Sequence, residues 1–242
     1  MLFPEPASLA RQPEPTTVDY FAALVKLGIS AVPDWGGPAS ELFGMLTAPL
    51  LGKRRDEWFK ELRIRLNELT AKVEGLTIES LARSEEFVSV VVQATQSAIK
   101  THQQKKIEAL RNAVLNVAAR KAPTVDKQAL FLQYVDRFQP VHLELMAFME
   151  EPGKYGATWK SSRTGSNSVY EVVYTAFSAL MGQFQLVNLV VADLRAAGFI
   201  AAGIDNAMAP APALAKWATL QGEEFLTFIR EPGILTKPEE DL

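Results

Sequence analysis

The chain has 242 residues, 48% of them hydrophobic and 22% charged, with a formal net charge of −3 and no cysteine. This composition suits one large domain or two small ones, with a core that needs no covalent staple. It excludes disulfides, thiolate metal sites and cysteine nucleophiles, and its charge argues against a nucleic-acid partner, whose binding depends on neutralising phosphates. The two histidines, His102 and His142, are too few for a multi-histidine metal cage, though carboxylate-only sites stay open. No cofactor is expected. Met1-Leu2-Phe3-Pro4-Glu5-Pro6 lacks the basic and apolar regions of a signal peptide. No apolar run reaches the roughly 18 residues of a membrane span, and the nearest, Leu186 to Ile204, contains Asp193 and Arg195. A cytoplasmic location is the expectation.

Residues 1–16 hold four prolines without periodicity and read as an extended arm. Thr16 or Thr17 caps a predicted short helix through Tyr20, Leu24 and Leu27, which Gly28 ends. Pro33-Asp34-Trp35-Gly36-Gly37-Pro38 reads as a turn, with Pro38 in the first turn of the next helix. That helix is predicted to reach about Val73, with a kink or break near Pro49 and Gly52. Phe59, Leu62, Leu66, Leu69 and Val73 recur every three or four residues, a heptad seam. Asp56–Lys60, Glu61–Arg65 and Glu68–Lys72 are acid-before-base pairs on the solvated side, and Gly75 stops the helix.

Ile78 to Ala82 is predicted as one helical turn. Ser84-Glu85-Glu86-Phe87 then opens a helical stretch that extends to about Arg120. Its ends are apolar and its middle, Lys100 to Lys106, is polar, so it is either one long helix or two meeting near Thr101. Pro123 ends it and Thr124 caps the next helix, with a stripe of Leu130, Tyr134, Val135 and Phe138. Pro140 opens or kinks a continuation through Leu143, Met146 and Phe148. Residues 151–168 read as a basic loop. Helices are predicted from Val169 to about Met181 and from Gln183 to Ala197, the second stopped by Gly198. Phe199 to Ala202 reads as a short strand, and 207–218 as a return strand or irregular loop. Thr219 caps a last helix, Leu220 to Arg230, with Phe225, Leu226, Phe228 and Ile229 facing inward. The tail, 236–242, is acidic.

No nucleotide-binding or nucleophile motif appears. Gly36-Gly37 before a helix reads as a structural turn rather than an anion site, because Asp34 is adjacent and no lysine follows at P-loop spacing. His102 lies in a polar run and reads as solvated, since a general base needs an orienting partner. His142 reads as an interhelical hydrogen-bonding residue. Trp35, Trp58, Trp159 and Trp217 read as core or interface anchors. The strongest basic cluster, Lys53-Arg54-Arg55, follows the apolar run Leu42 to Leu51. Such a pairing can contact a membrane, which would involve Leu46, Leu50, Lys53, Arg54, Arg55 and Trp58. Asp56, Glu57 and Glu61 dilute the charge and favour a core helix with a solvated end.

Two segments carry a resemblance. Leu194-Arg195-Ala196-Ala197-Gly198-Phe199-Ile200 followed by Thr219-Leu220-Gln221-Gly222-Glu223-Glu224-Phe225 looks like the end of a winged-helix unit. There a glycine ends a helix before the wing, and a threonine caps a helix packed against it. With the Pro33 to Pro38 turn and the Lys53-Arg54-Arg55 helix, the order of elements resembles the abortive-infection alpha family of bacterial proteins. The resemblance implies a bacterial cytoplasmic protein in phage defence or stress response, and no catalytic residue. Residues 169–242 hold four basic and nine acidic side chains, a net −5, which opposes DNA binding by that unit.

The expectation is an all-α protein. A bundle of long amphipathic helices spans 17–150, and a small winged-helix-like unit with at most one short hairpin spans 169–235. The expected function is non-enzymatic binding of a protein partner or of a second copy of the chain. The alternatives are a membrane-active effector using helix 38–51, and a protein-binding transcriptional regulator. An enzyme would need converging carboxylates in a cleft, which spacing does not reveal.

Overall fold

The computed structural model describes residues 38–155, 169–201 and 216–235, with side chains described over 50–155, 173–201 and 216–235. The predicted arm 1–16, the helix through Leu27, the Gly36-Gly37 turn, most of the 151–168 loop, residues 202–215 and the tail lie outside them. Among the described residues the protein is mostly helical, with nine α-helices and no strand. They are α1 (Pro38–Lys72), α2 (Ile78–Ala82), α3 (Glu85–Lys100), α4 (Gln104–Ala118), α5 (Val125–Arg137), α6 (Pro140–Glu150), α7 (Val169–Ala176), α8 (Phe184–Ala196) and α9 (Leu220–Ile229). Short 3-10 turns cover Pro152–Tyr155 and Ser178–Leu180.

The predicted break at Pro49 and Gly52 does not occur, and α1 is one helix of 35 residues. A proline removes a single backbone hydrogen bond, and helical residues on either side can carry the helix through. The seam Phe59, Leu62, Leu66 and Leu69 is buried. Gly75 ends the element with a φ of +74°, a left-handed conformation that costs glycine little. Thr77 and Ser80 cap α2 reciprocally, and the Ser84 hydroxyl accepts from the Phe87 N–H at 3.2 Å to start α3.

The stretch from Ser84 to Arg120 is two helices. Thr101 is extended, and its hydroxyl accepts from the Gln103 N–H at 3.1 Å, so the chain turns within three residues. Folding back at the polar middle lets the apolar ends of α3 and α4 pack side by side. Thr124 stands at the start of α5, but its side chain makes no capping hydrogen bond. The α5 stripe is also shifted from the predicted one. Leu130 is exposed, and Phe131 and Leu132 join Val135 and Phe138 in the core. The helix predicted from Val169 to Met181 is α7 followed by a 3-10 turn. Phe177 leaves the helical conformation and packs edge-on to Phe148, with ring centroids 5.6 Å apart.

α4 is central, packing against α1, α3, α5 and α9. α9 also packs on α6, and α6 on α8. One continuous cluster of buried apolar side chains extends from Trp58 to Leu235, so residues on both sides of 151–168 share a core. Its aromatic centre joins α5, α9 and Phe199. The Phe199 and Phe225 rings stack at 4.5 Å, and Phe131 meets Phe225 edge-on at 5.4 Å. Such pairs add about 0.5–1.5 kcal/mol each beyond the apolar area they bury.

Candidate functional site

The motif residues of the C-terminal segments converge on one junction. Gly198 ends α8 with a φ of +72°. The Thr219 hydroxyl donates to the Gly198 carbonyl at 2.6 Å and accepts from the Gly222 N–H at 3.1 Å. It therefore ties the end of α8 to the start of α9. Gly222 is there for space, since a Cβ at that position would lie 2.2 Å from the Phe199 carbonyl oxygen. Phe225, one turn on, stacks on Phe199. Among the described residues, the predicted strand at Phe199 shows a single antiparallel bridge between Ile200 and Ala218, and most of the predicted return over 207–218 lies outside them. The Ala201 N–H donates to Trp217 and the Thr219 N–H to Phe199, each at 2.9 Å. The Trp217 and Ala218 N–H groups both point to the Met149 carbonyl, at 2.8 and 3.2 Å, and satisfy the C-terminal end of α6. These four motif residues act in packing and capping.

Sequence reasoning missed the other end of α9. The Asn112 side-chain amide donates to the Ile229 carbonyl at 3.0 Å. That of Asn116, one turn along α4, reaches the Phe228 and Arg230 carbonyls at 2.9 and 2.8 Å. Together they satisfy carbonyls that the helix end leaves without partners. The i,i+4 spacing of two asparagines was the available signal.

The residues singled out around the basic cluster separate. Trp58 is only 3% exposed, and its indole N–H donates to the Thr95 hydroxyl at 2.9 Å, so it is a core residue. Arg54 reaches the Ile99 carbonyl at 3.5 Å. Lys53 pairs with Glu57 and Arg55 with Asp56, at 3.8 and 2.8 Å. Leu50 is exposed, and the Leu46 side chain lies outside the described residues. A shallow open depression is lined by Gly52, Lys53, Asp56, Glu57 and Lys60, all from α1, and among the described residues no second element lines it.

Among the described residues, two titratable groups are buried. His142 on α6 stacks on Phe138 at 4.8 Å. Its Nδ1 accepts from the Gln139 N–H at 3.2 Å, and its Nε2 faces Asp193 of α8 at 3.3 Å, where Arg137 also binds at 2.9 Å. This is an interhelical hydrogen bond, as the sequence suggested. With Nδ1 accepting, Nε2 carries the proton and donates to Asp193. Burial lowers the His142 pKa, against the opposing pull of Asp193. Both ring nitrogens are engaged, so neither is available to a substrate proton. Lys106 donates to the Asp136 carbonyl at 2.6 Å, and burial lowers its pKa while Asp136 raises it. Among the described residues, no three His, Asp or Glu side chains are placed to hold a metal.

Among the described residues, α8 carries several exposed apolar side chains on its outer side. Gln185, Leu186, Leu189, Ala192 and Ala196 are exposed there, and none is charged. Met181, just before the helix, is 69% exposed and Leu189 is 59%. The inner face, Val187, Val190, Val191 and Leu194, is buried. The legible signal was a helix apolar on nearly every side, a pattern of helices covered all round. Together these features describe, among the described residues, a helical protein with one shared core and exposed apolar side chains along α8, beside the half-buried Asp193 and Arg195. No protein-family model matches the chain, and no curated protein or solved structure matches it.

Proposed function

We propose that the chain is a non-enzymatic interaction protein that binds a protein partner or a second copy of itself through the outer face of α8. The carrying observation is that face, since contiguous exposed apolar surface is a hallmark of binding sites. Apolar area removed from water is worth about 25 cal/mol per Å², so three or four large side chains give a contact a useful centre. The resemblance to the abortive-infection alpha family supports placing this binding in bacterial phage defence or stress response. We read 169–235 as winged-helix-like, with the Ile200–Ala218 bridge as the base of the wing. The net −5 charge of residues 169–242 favours a protein over DNA.

The test compares wild type with Leu189→Asp. Sedimentation velocity reads self-association, and cross-linking in bacteria carrying the chain reads partners. An assembly formed by wild type and lost in the variant supports the proposal. A wild type that stays monomeric, with the same cross-links as Leu189→Asp, overturns it. Phage plating on those bacteria tests the defence reading, which fails if the chain leaves plating unchanged.

A further inference from the structure

After α9 the chain returns to α1. The spacing of Glu61 and Arg65, and of Glu68 and Lys72, suggests bonds within the helix, yet in the fold these side chains reach further. Glu61 pairs with Arg111 of α4. Arg65 bonds Glu68 at 2.6 Å and also pairs with Glu231. The Lys72 ammonium donates to the Ile234 carbonyl at 3.1 Å, across 162 residues of sequence. Arg65 and Lys72 stand two turns apart on one face of α1, about 10 Å along its axis. They hold two points of the segment 231–235, which therefore lies along the last two turns of α1.

That segment, Glu231-Pro232-Gly233-Ile234-Leu235, contains a turn in which the Leu235 N–H donates to the Pro232 carbonyl at 2.7 Å. Pro232 and Leu235 are buried, Leu235 as part of the shared core, and Ile234 packs against that core. Its root is fixed by other elements. Asn112 and Asn116 hold the carbonyls of Phe228, Ile229 and Arg230, and Arg230 pairs with Glu150 of α6 at 2.5 Å. α9 is thus capped on α4 before the segment begins. The segment itself joins buried apolar side chains to polar bonds made by partly exposed groups. An apolar centre with polar bonds at its rim is the anatomy of a binding interface.

We infer that 231–235 is a latch, a peptide seated along the last two turns of α1, whose release loosens that end of α1 while α4 and α9 stay packed. The asparagine pair is the reason for the separation, since it keeps α9 on α4 whether or not the latch is seated. The seat on α1 takes a peptide of matching chemistry, an acid followed by proline, a spacer and two apolar residues, and this chain supplies its own. The latch is separate from the α8 face, so either reading can fail alone.

The test is amide hydrogen exchange on the full chain, read by mass spectrometry. Wild type is compared with Leu235→Asp, with Arg65→Glu, and with the exchanged pair Arg65→Glu/Glu231→Arg. Leu235→Asp is expected to speed exchange over 62–72 roughly tenfold, the effect of unseating one buried leucine, and to leave 106–118 and 222–229 at the wild-type rate. Arg65→Glu is expected to speed exchange over 62–72 roughly threefold, and the exchanged pair to restore it. A synthetic peptide of residues 230–235, added at millimolar concentration, is expected to slow exchange again in Leu235→Asp, whereas the same peptide carrying Leu235→Asp has no effect. Exchange over 62–72 that stays at the wild-type rate in Leu235→Asp overturns the inference. So does equal acceleration in all three regions, which would make the segment an ordinary part of the core, and so does a wild-type peptide without effect.

Discussion

Gly222 lies so close to the Phe199 carbonyl that a methyl group on it would stand 2.2 Å from the oxygen, and 2.4 Å from the end of the Met146 side chain. The methionine can move, but the carbonyl belongs to the backbone of the bridge and cannot. Gly222→Ala gains about 1 kcal/mol of helix propensity and meets an overpacking cost of about 1–3 kcal/mol or more. The expected result is a net loss, read as a lower Tm. Gly52→Ala is the matched control, since nothing lies within 4 Å of its added methyl. It should raise stability by up to about 1 kcal/mol. Two substitutions of the same kind with shifts of the same sign would contradict this account of Gly222.

Thr219 both caps α9 and holds Gly198. Thr219→Ala should therefore cost more than a simple cap, about 2 kcal/mol. Thr219→Ser keeps the hydroxyl and should recover most of it. Equal denaturation midpoints for the alanine and serine variants would show that the hydroxyl carries no weight.

Asn116 gives its amide to the last carbonyls of α9. Asn116→Ala should destabilise by about 1–3 kcal/mol, because those buried acceptors lose their donor. Asn116→Asp should be worse at neutral pH, where a carboxylate faces carbonyl oxygens, and should recover as acid protonates it and restores a donor. Urea unfolding at two pH values checks both, and an aspartate variant insensitive to pH would contradict the geometry.

His142 makes stability depend on pH. Burial holds its folded pKa below the unfolded value of about 6.5. Between those two values the unfolded chain binds more protons, so the contribution is complete above about pH 6.5 and is lost as pH falls toward the folded value. Protonating Nδ1 also sets an N–H against the Gln139 N–H. His142→Gln should flatten the acid-side slope of stability against pH. An unchanged slope in that variant would assign the dependence to other groups.

Much of the helical pattern was written in local signals. Gly75, Ser84, Pro140, Gly198 and Thr219 marked ends that the fold keeps, because caps and left-handed glycines act through neighbours three or four residues away. Heptad spacing likewise exposed the α1 seam. Local signals could not decide whether Thr101 broke a helix, since either choice satisfied the same periodicity. Nor could they place Leu130 outside and Phe131 inside, which depends on the helices α5 meets.

The sequence by itself determined that this chain is helical, lacks cysteine chemistry, and carries a glycine and a threonine where α8 and α9 must turn. Only the tertiary structure decided that Gly222 faces Phe199, that two asparagines of α4 close α9, and that Thr101 parts α3 from α4. The physical reason is range. Propensity and capping act within one turn of helix, whereas close approach and burial depend on residues brought together from far along the chain.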